Sequence, residues 1–251
     1  VEAGAGQLIA EEMAGLSVRG RAEAVRAAAD VGRPYCKTTY SEEWAKGSGL
    51  HWDSLTLLEC AGRYFAGTLS LADARTEDLA AWGGLRLSLS GTSTADGDVA
   101  GTGLALTGPG TLRARRLNVW GWGGDRAPLL AVLDGAEVIL SGEEGVAMGS
   151  NAGDPGLLLL DGGVLACEGG LWMQNGVLEV RSGTLTLDGA CALERGRVEI
   201  TGGTVVLQGG LWLGEGEVVI HGGEVIVPGG LDGLIAERGS VTVEGGTLRE
   251  P

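Results

Sequence analysis

The sequence is poor in several residue types that commonly carry catalysis or binding. Its 251 residues include only two His, four Cys and a single Phe, and aromatic residues make up 4% of the chain. The cysteines form no CxxC pair and have no metal-ligand spacing, so they predict neither a zinc site nor a redox pair. They are Cys36, Cys60, Cys167 and Cys191.

Long apolar runs are also missing. No run approaches the roughly 18 residues that a membrane-spanning helix requires, so we expect no membrane span. No charged start followed by an apolar stretch marks a signal peptide, although a mature form beginning at Val1 would have lost one.

Positive charge is scarce. Lys37 and Lys46 are the only lysines, and the formal net charge is −15. Such a surface repels phosphate, and the one short basic patch is Arg113, Arg115 and Arg116. The sequence therefore predicts no nucleic-acid partner.

Glycine, in contrast, is abundant. The chain contains 48 glycines, yet 44% of its residues are hydrophobic, so it has enough apolar material for a core. The glycines do not recur at every third position, which excludes a collagen triple helix. The remaining interpretation is a repeat structure with glycine at its corners.

That repeat has a period of 20 residues. It starts with LLLLDGGVLACEGGLWMQNG (157–176) and continues as VLEVRSGTLTLDGACALERG (177–196) and RVEITGGTVVLQGGLWLGEG (197–216). The next copy, 217–239, carries three extra residues near 232–234, and a half copy ends the chain. Earlier copies with insertions occupy 130–153 and 104–119, and LRLSL (85–89) opens the series, which gives about seven coils over 85–251.

Within each copy, three short apolar runs alternate between apolar and polar residues, which is the pattern of a strand with one buried face. Positions 2, 4, 9, 11, 15 and 17 are apolar and should point inward, whereas positions 1, 3, 5, 8, 10 and 12 should point outward. Glycine pairs at positions 6 and 7 and at 13 and 14 should form corners. The sequence thus predicts a mainly β solenoid with three strands per coil and aliphatic ladders along its axis.

The first 84 residues lack this period. Residues 17–31 are predicted to form a helix, 55–60 and 63–71 strands, and 76–82 a short helix that leads into the solenoid. We interpret residues 1–84 as a small α+β capping or attachment module, since the open end of a solenoid must be covered, and residues 85–251 as the solenoid.

The glycine-punctuated coils of 85–251 resemble the parallel β-helices of phage tail spikes, of bacterial adhesin passenger domains and of polysaccharide lyases. The resemblance implies a single-stranded, right-handed parallel β-helix. We also expect no cofactor. It also implies a place on a virion or a cell surface and, as in the spike-like proteins, a homo-oligomer with a trimer favoured over a dimer.

Four tryptophans are candidate binding residues. Trp172 and Trp212 both take position 16, where alternation points them outward, two strand spacings apart and separated by Ala192. They could form a platform for sugar rings or for a neighbouring subunit, to which Trp120 and Trp122 could belong. The alternative is that the N-terminal module or an inserted loop covers them.

Aliphatic residues at outward positions are further candidates for the contact surface. Leu159, Val206 and Val219 occupy positions that are polar in other coils. We expect them, with the tryptophans, to bring subunits together or to dock the chain onto a larger assembly.

Two acids are the only candidate catalytic pair. Glu179 and Glu199 occupy the same outward position in consecutive coils, a spacing compatible with the carboxylate pair of a retaining glycosidase. The alternative is a solvated acidic face, because any strand ladder produces this spacing. The Asp- and Gly-rich segment 149–156 lacks the GGxGxDx repeat of calcium-binding solenoids, so we predict no metal site.

The sequence therefore favours a non-enzymatic structural or adhesive protein. The most plausible forms are a phage virion component, such as a tail fibre, spike or decoration protein, and a bacterial surface adhesin. The alternative is a polysaccharide-cleaving β-helix enzyme, a lyase or a glycoside hydrolase, that uses Glu179 and Glu199.

Overall fold

A computed structural model of the chain describes residues 35–38, 50–60, 63–76, 79–121, 127–150 and 155–251. The protein is mainly β, with 68% of residues in strands, and forms a parallel β-solenoid of about eight turns. The helix predicted over 17–31 lies outside the described residues. The handedness of the solenoid stays a prediction.

Each coil has three sides, as the three apolar runs predict. Side 1 contains β3 (Arg63–Ala72), β10 (Leu129–Leu133), β13 (Gly156–Asp161) and β16 (Gly176–Val180). Side 2 contains β4 (Arg75–Thr76), β6 (Thr92–Ala95), β8 (Thr111–Ala114), β11 (Glu137–Leu140), β14 (Val164–Cys167), β17 (Thr184–Leu187), β19 (Thr204–Leu207), β21 (Glu224–Ile226) and β23 (Thr247–Arg249). Side 3 contains β9 (Arg116–Gly121), β12 (Val146–Ser150) and β15 (Leu171–Met173).

Five longer strands run through the corner from side 3 into side 1 of the next coil. They are β5 (Leu79–Ser90), β7 (Asp98–Thr107), β18 (Cys191–Ile200), β20 (Leu211–Ile220) and β22 (Leu234–Val243). Sides 1 and 3 therefore belong to one 14-stranded sheet, whereas side 2 forms a separate nine-stranded sheet. Two further strands, β1 (Tyr35–Thr38) and β2 (Leu50–Cys60), pair antiparallel with β5 and β3 at the N-terminal end.

Strand pairing confirms the 20-residue period. On side 1, Leu178 pairs with Val198, and on side 2, Leu185 pairs with Val205. On side 3, Cys191 pairs with Leu211. The insertion in the 217–239 copy contains a four-residue 3-10 helix, Gly230–Gly233, and ends before Leu234, which pairs in register with Leu211.

The core consists of the predicted aliphatic ladders. In the coil that starts at 177, all six inward positions are completely buried, and the equivalent residues of the next coil are at most 2% exposed. The members of these two coils are Leu178, Val180, Leu185, Leu187, Cys191, Leu193, Val198, Ile200, Val205, Leu207, Leu211 and Leu213. Each stacks on its equivalent about 4.8 Å away, so the core continues from coil to coil.

The start of the solenoid differs from our expectation. The helix predicted over 76–82 is wrong, because β5 begins at Leu79, which is buried and pairs with Val99. Pairing with the neighbouring coil overrides the local helical preference of this segment. Parallel pairing reaches back to Thr68, so the solenoid includes one coil before the LRLSL segment. A capping or attachment role for the preceding residues stays a prediction.

Two of the outward aliphatic residues are not exposed. Leu159 is 2% exposed and belongs to a second, smaller hydrophobic cluster on the outer face of side 1 with Ala105, Leu129 and Ala131. Val219 is 7% exposed. The prediction that these two side chains form an exposed contact surface is therefore wrong, whereas Val206 is half-buried.

The corner with the closest backbone approach is not one of the two corners predicted from the glycine pairs at positions 6 and 7 and at 13 and 14. At the corner between sides 3 and 1, Gly176, Gly196, Gly216 and Gly239 stack in register. A Cβ on Gly196, whose φ is 137°, would lie 1.7 Å from the carbonyl oxygen of Gly176. This column therefore lets successive coils pass the corner at strand spacing.

The glycine column generates a prediction. Gly196→Ala should lower the free energy of unfolding by about 3 kcal/mol or more, because the backbone of two coils would have to separate. Gly135→Ala is the matched control, since Gly135 also has a positive φ of 79° but has no atom within 4 Å of an added Cβ. The control should cost only about 1 kcal/mol of backbone strain in urea-induced unfolding. Equal effects of the two variants would contradict the close packing of this corner.

The inward and outward assignment generates a second prediction. Val205→Asp should destabilise the protein by about 3 kcal/mol or more, because it places an unpaired carboxylate in an aliphatic ladder. Thr186→Asp, on the outer face of the same side, should change the midpoint of thermal unfolding little. The assignment is wrong if Thr186→Asp unfolds the protein as readily as Val205→Asp.

Candidate binding face

The outer face of side 3 carries a column of residues at position 16. From coil to coil it holds Asn118, Ala147, Trp172, Ala192, Trp212 and Ile235, in the register of the strand pairs. Trp172 and Trp212 therefore lie two strand spacings apart, about 9.6 Å, with one alanine between them. Both are 36% exposed, which confirms that they point outward.

Glycines beside the column give the rings room to lie along the sheet. A Cβ on Gly214 would lie 3.1 Å from Cη2 of Trp212, so this indole extends over the glycine two residues further along its own strand. A Cβ on Gly149 would lie 2.5 Å from Cη2 of Trp120, so this indole extends over its neighbour in the next coil. In the sequence, a glycine two residues along the strand or one coil away indicates that a tryptophan ring can lie flat on the sheet.

The rings are also held in place. Nε1 of Trp212 donates a hydrogen bond of 2.9 Å to Oε1 of Glu237. The ring of Trp172 stacks on that of Trp120, with centroids 6.0 Å apart and an angle of 12° between their planes. Trp120 therefore contacts Trp172 on this face, whereas Trp122 lies outside the described residues.

Polar side chains line the column. Position 18, two residues further along each strand, holds Gln174, Glu194, Gly214 and Glu237 in successive coils, and both glutamates are exposed. We call Trp120, Trp172 and Trp212, together with Ala192 and these polar residues, the tryptophan face. It combines fixed aromatic rings with hydrogen-bond acceptors.

Glu179 and Glu199 are neighbours in one side 1 ladder, as predicted. Each lies against a cation. Nε of Arg181 lies 2.6 Å from Oε1 of Glu179, and Glu199 lies 3.5 Å from Arg197 and 3.6 Å from His221. His221 also lies 2.8 Å from Oε2 of Glu244, and Nε of Arg197 lies 3.2 Å from Glu217. Glu179 is thus paired within its own coil, whereas Glu199 belongs to a charge network that crosses three coils.

The basic patch predicted at 113–116 is compensated in part. Both Arg115 and Arg116 bind Asp98, at 2.9 and 2.6 Å, and Arg116 also binds Glu144. Because three consecutive coils contribute these groups, the contacts tie the coils together at the corner between sides 2 and 3.

Cys167 and Cys191 are free and buried. Burial raises the pKa of both thiols from 9.0 to about 12, and the charge of Asp188 adds to the effect on Cys167. Both thiols therefore stay protonated at neutral pH and pack as small hydrophobic groups.

Across the described ranges, no group of three or more His, Cys, Asp or Glu side chains is placed to hold a metal ion. The same part of the chain contains no helix that is long and apolar enough to cross a membrane. No protein-family model matches the sequence, and neither a curated protein nor a solved structure matches it. The class of protein that the fold defines is the parallel β-solenoid.

The buried thiols generate a prediction. At pH 8, iodoacetamide should leave Cys167 and Cys191 unmodified in the folded protein, because a pKa of about 12 leaves about a thousandfold less thiolate than the usual value of 9.0. Both should react within minutes in urea, and peptide mass spectrometry assigns the modified residues. Rapid modification of either residue without denaturant would contradict its burial.

The same pKa shifts predict a pH dependence of stability. Because folding raises the pKa of both thiols, their contribution to stability is complete below pH 9 and decreases as the pH rises from 9 toward about 12. Cys191→Ala should reduce this loss by up to about 1.4 kcal/mol per pH unit in urea titrations. An unchanged slope would argue against a titrating buried thiol.

Proposed function

We propose that this chain is a non-enzymatic structural or adhesive protein, either a phage virion component, such as a tail fibre, spike or decoration protein, or a bacterial cell-surface adhesin. The carrying observation is the tryptophan face on a rod with a continuous core. Its fixed, half-exposed rings are the largest apolar side chains on the described outer surface, and such surface usually marks a contact.

The charge network supports a static role for the candidate acids. Catalysis by paired carboxylates requires one to donate a proton and the other to attack or to activate water. Glu179 and Glu199 instead each lie against a guanidinium or an imidazole that belongs to the same surface. The contact of Glu199 with His221 links successive coils, which suits a structural rod better than a reaction centre.

Self-association belongs to this proposal. A trimer of parallel solenoids remains our expectation, although Leu159 and Val219 are buried and contribute no exposed surface to its contact. Sedimentation velocity of the isolated chain measures its mass directly. A mass of one chain at micromolar concentration would remove the trimer from the proposal.

The location of the protein is the most direct test. Antibodies against the chain should label intact, unpermeabilised producing cells or purified virions in immunogold electron microscopy. Preimmune serum is the control. Labelling only after permeabilisation, with no signal on particles, would contradict a surface or virion role.

A second assay tests the alternative function, a polysaccharide-cleaving enzyme. We expect the purified chain to release no reducing ends and no unsaturated products from neutral or acidic polysaccharides. Release that Glu199→Gln abolishes, with the thermal unfolding midpoint unchanged, would replace the adhesive proposal with a polysaccharide-cleaving enzyme.

A further inference from the structure

We infer that the tryptophan face binds a neutral, extended polysaccharide whose chain runs parallel to the solenoid axis. This inference rests on the proposed adhesive function and specifies the chemical class of its ligand. It follows from the spacing of the rings, from their fixed orientation and from the polar side chains beside them.

The spacing sets the direction and repeat of the ligand. The column runs across the strands, so Trp172 and Trp212 are separated along the solenoid axis by about 9.6 Å. Alternate rings of an extended β-1,4-linked sugar chain lie about this far apart and present the same face. The small side chain of Ala192 leaves space for the intervening sugar ring.

The orientation of the indoles reduces the cost of binding. Trp212 is held by the hydrogen bond to Glu237, and Trp172 is held by the stack on Trp120. A sugar that stacks on these rings therefore orders few additional side-chain rotations. Indole rings bury apolar surface well, and the C–H face of a pyranose offers a flat apolar surface of matching size.

The polar side chains select for hydroxyl groups. Glu194 and Glu237 are exposed, and Gln174 lies in the same column. Carboxylates accept strong hydrogen bonds from hydroxyl donors, and an extended sugar chain offers hydroxyls along both edges. An apolar protein partner would instead bury these carboxylates without partners, which is costly.

Charge disfavours two other occupants of the tryptophan face. With a net charge of −15, the chain repels uronic acid polymers and other anionic glycans. A second copy of the chain would bring the same negative charge and the same glutamates to the interface. A neutral glycan meets neither penalty.

The test is isothermal titration of the full chain with cellohexaose, a neutral β-1,4-linked probe. Maltohexaose is the control for geometry, because its α-linked chain is curved, and a hexamer of galacturonic acid is the control for charge. We expect binding of cellohexaose only. Trp172→Ala and Trp212→Ala should each weaken binding roughly tenfold or more, as for central aromatic contacts.

Matched variants separate stacking from folding. Trp212→Phe keeps an aromatic ring and should retain more binding than Trp212→Ala, and Thr186→Ala, on the outer face of side 2, should leave binding unchanged. All variants should keep the wild-type unfolding midpoint, since the substituted residues lie outside the core. If an alanine variant unfolds, the comparison of Trp212→Phe with wild type still tests the site.

Three other outcomes would overturn the inference that the tryptophan face binds a neutral polysaccharide. Absence of cellohexaose binding, or equal binding by Trp212→Ala, removes the ligand class or the site. Sedimentation in which the Trp172→Ser and Trp212→Ser double variant dissociates a wild-type oligomer assigns the face to a second copy instead. Because surface labelling of cells or virions does not depend on the titration, failure of this site leaves the proposed adhesive function separately testable.

Discussion

Hydrogen bonding between successive coils is the constraint on which the rest of the structure depends. Within the solenoid, strands pair in parallel with the strands of the neighbouring coils, so paired residues lie beside their equivalents about 4.8 Å away. An inward position must therefore be apolar in coil after coil, as it is from Leu185 to Val205. A corner must likewise let the backbones of successive coils approach closely, and the column of Gly176, Gly196 and Gly216 allows this because glycine has no Cβ.

The same constraint organises the outer surface. Because equivalent positions of successive coils lie side by side, outward side chains form columns along the solenoid. A position that is charged in every coil would therefore place like charges next to one another. The solenoid avoids this with cross-coil ion pairs, such as Arg197 with Glu217 and Arg249 with Glu224. On side 3 the column instead alternates tryptophan with alanine, which spaces the rings at two coils. A single pairing rule thus produces the core, the charge network and the tryptophan face.

The sequence was sufficient for the features that recur every 20 residues. The three sides, the inward positions, the outward tryptophans and the ladder of Glu179 and Glu199 follow from period-2 alternation repeated in register. Features of the earlier coils, where the 20-residue pattern is irregular, could not be predicted. The strand at Leu79 is fixed by pairing with Val99, and Leu159 is buried in an outer-face cluster with Ala131 and Leu129. The hydrogen bond from Trp212 to Glu237 depends on side-chain orientation, which periodicity does not specify.

Disulfide mapping tests the stacking of coils most directly. Thr186 and Val206 are paired in register on the outer face of side 2, within the separation that a disulfide can span. The double variant Thr186→Cys with Val206→Cys should form a disulfide between positions 186 and 206 in the folded protein under mild oxidation. Peptide mass spectrometry distinguishes it from the native cysteines. The control, Thr184→Cys with Val206→Cys, is displaced by two residues, about 8 Å apart, and should not cross-link. Efficient linkage of the displaced pair, or none between 186 and 206, would contradict the 20-residue solenoid.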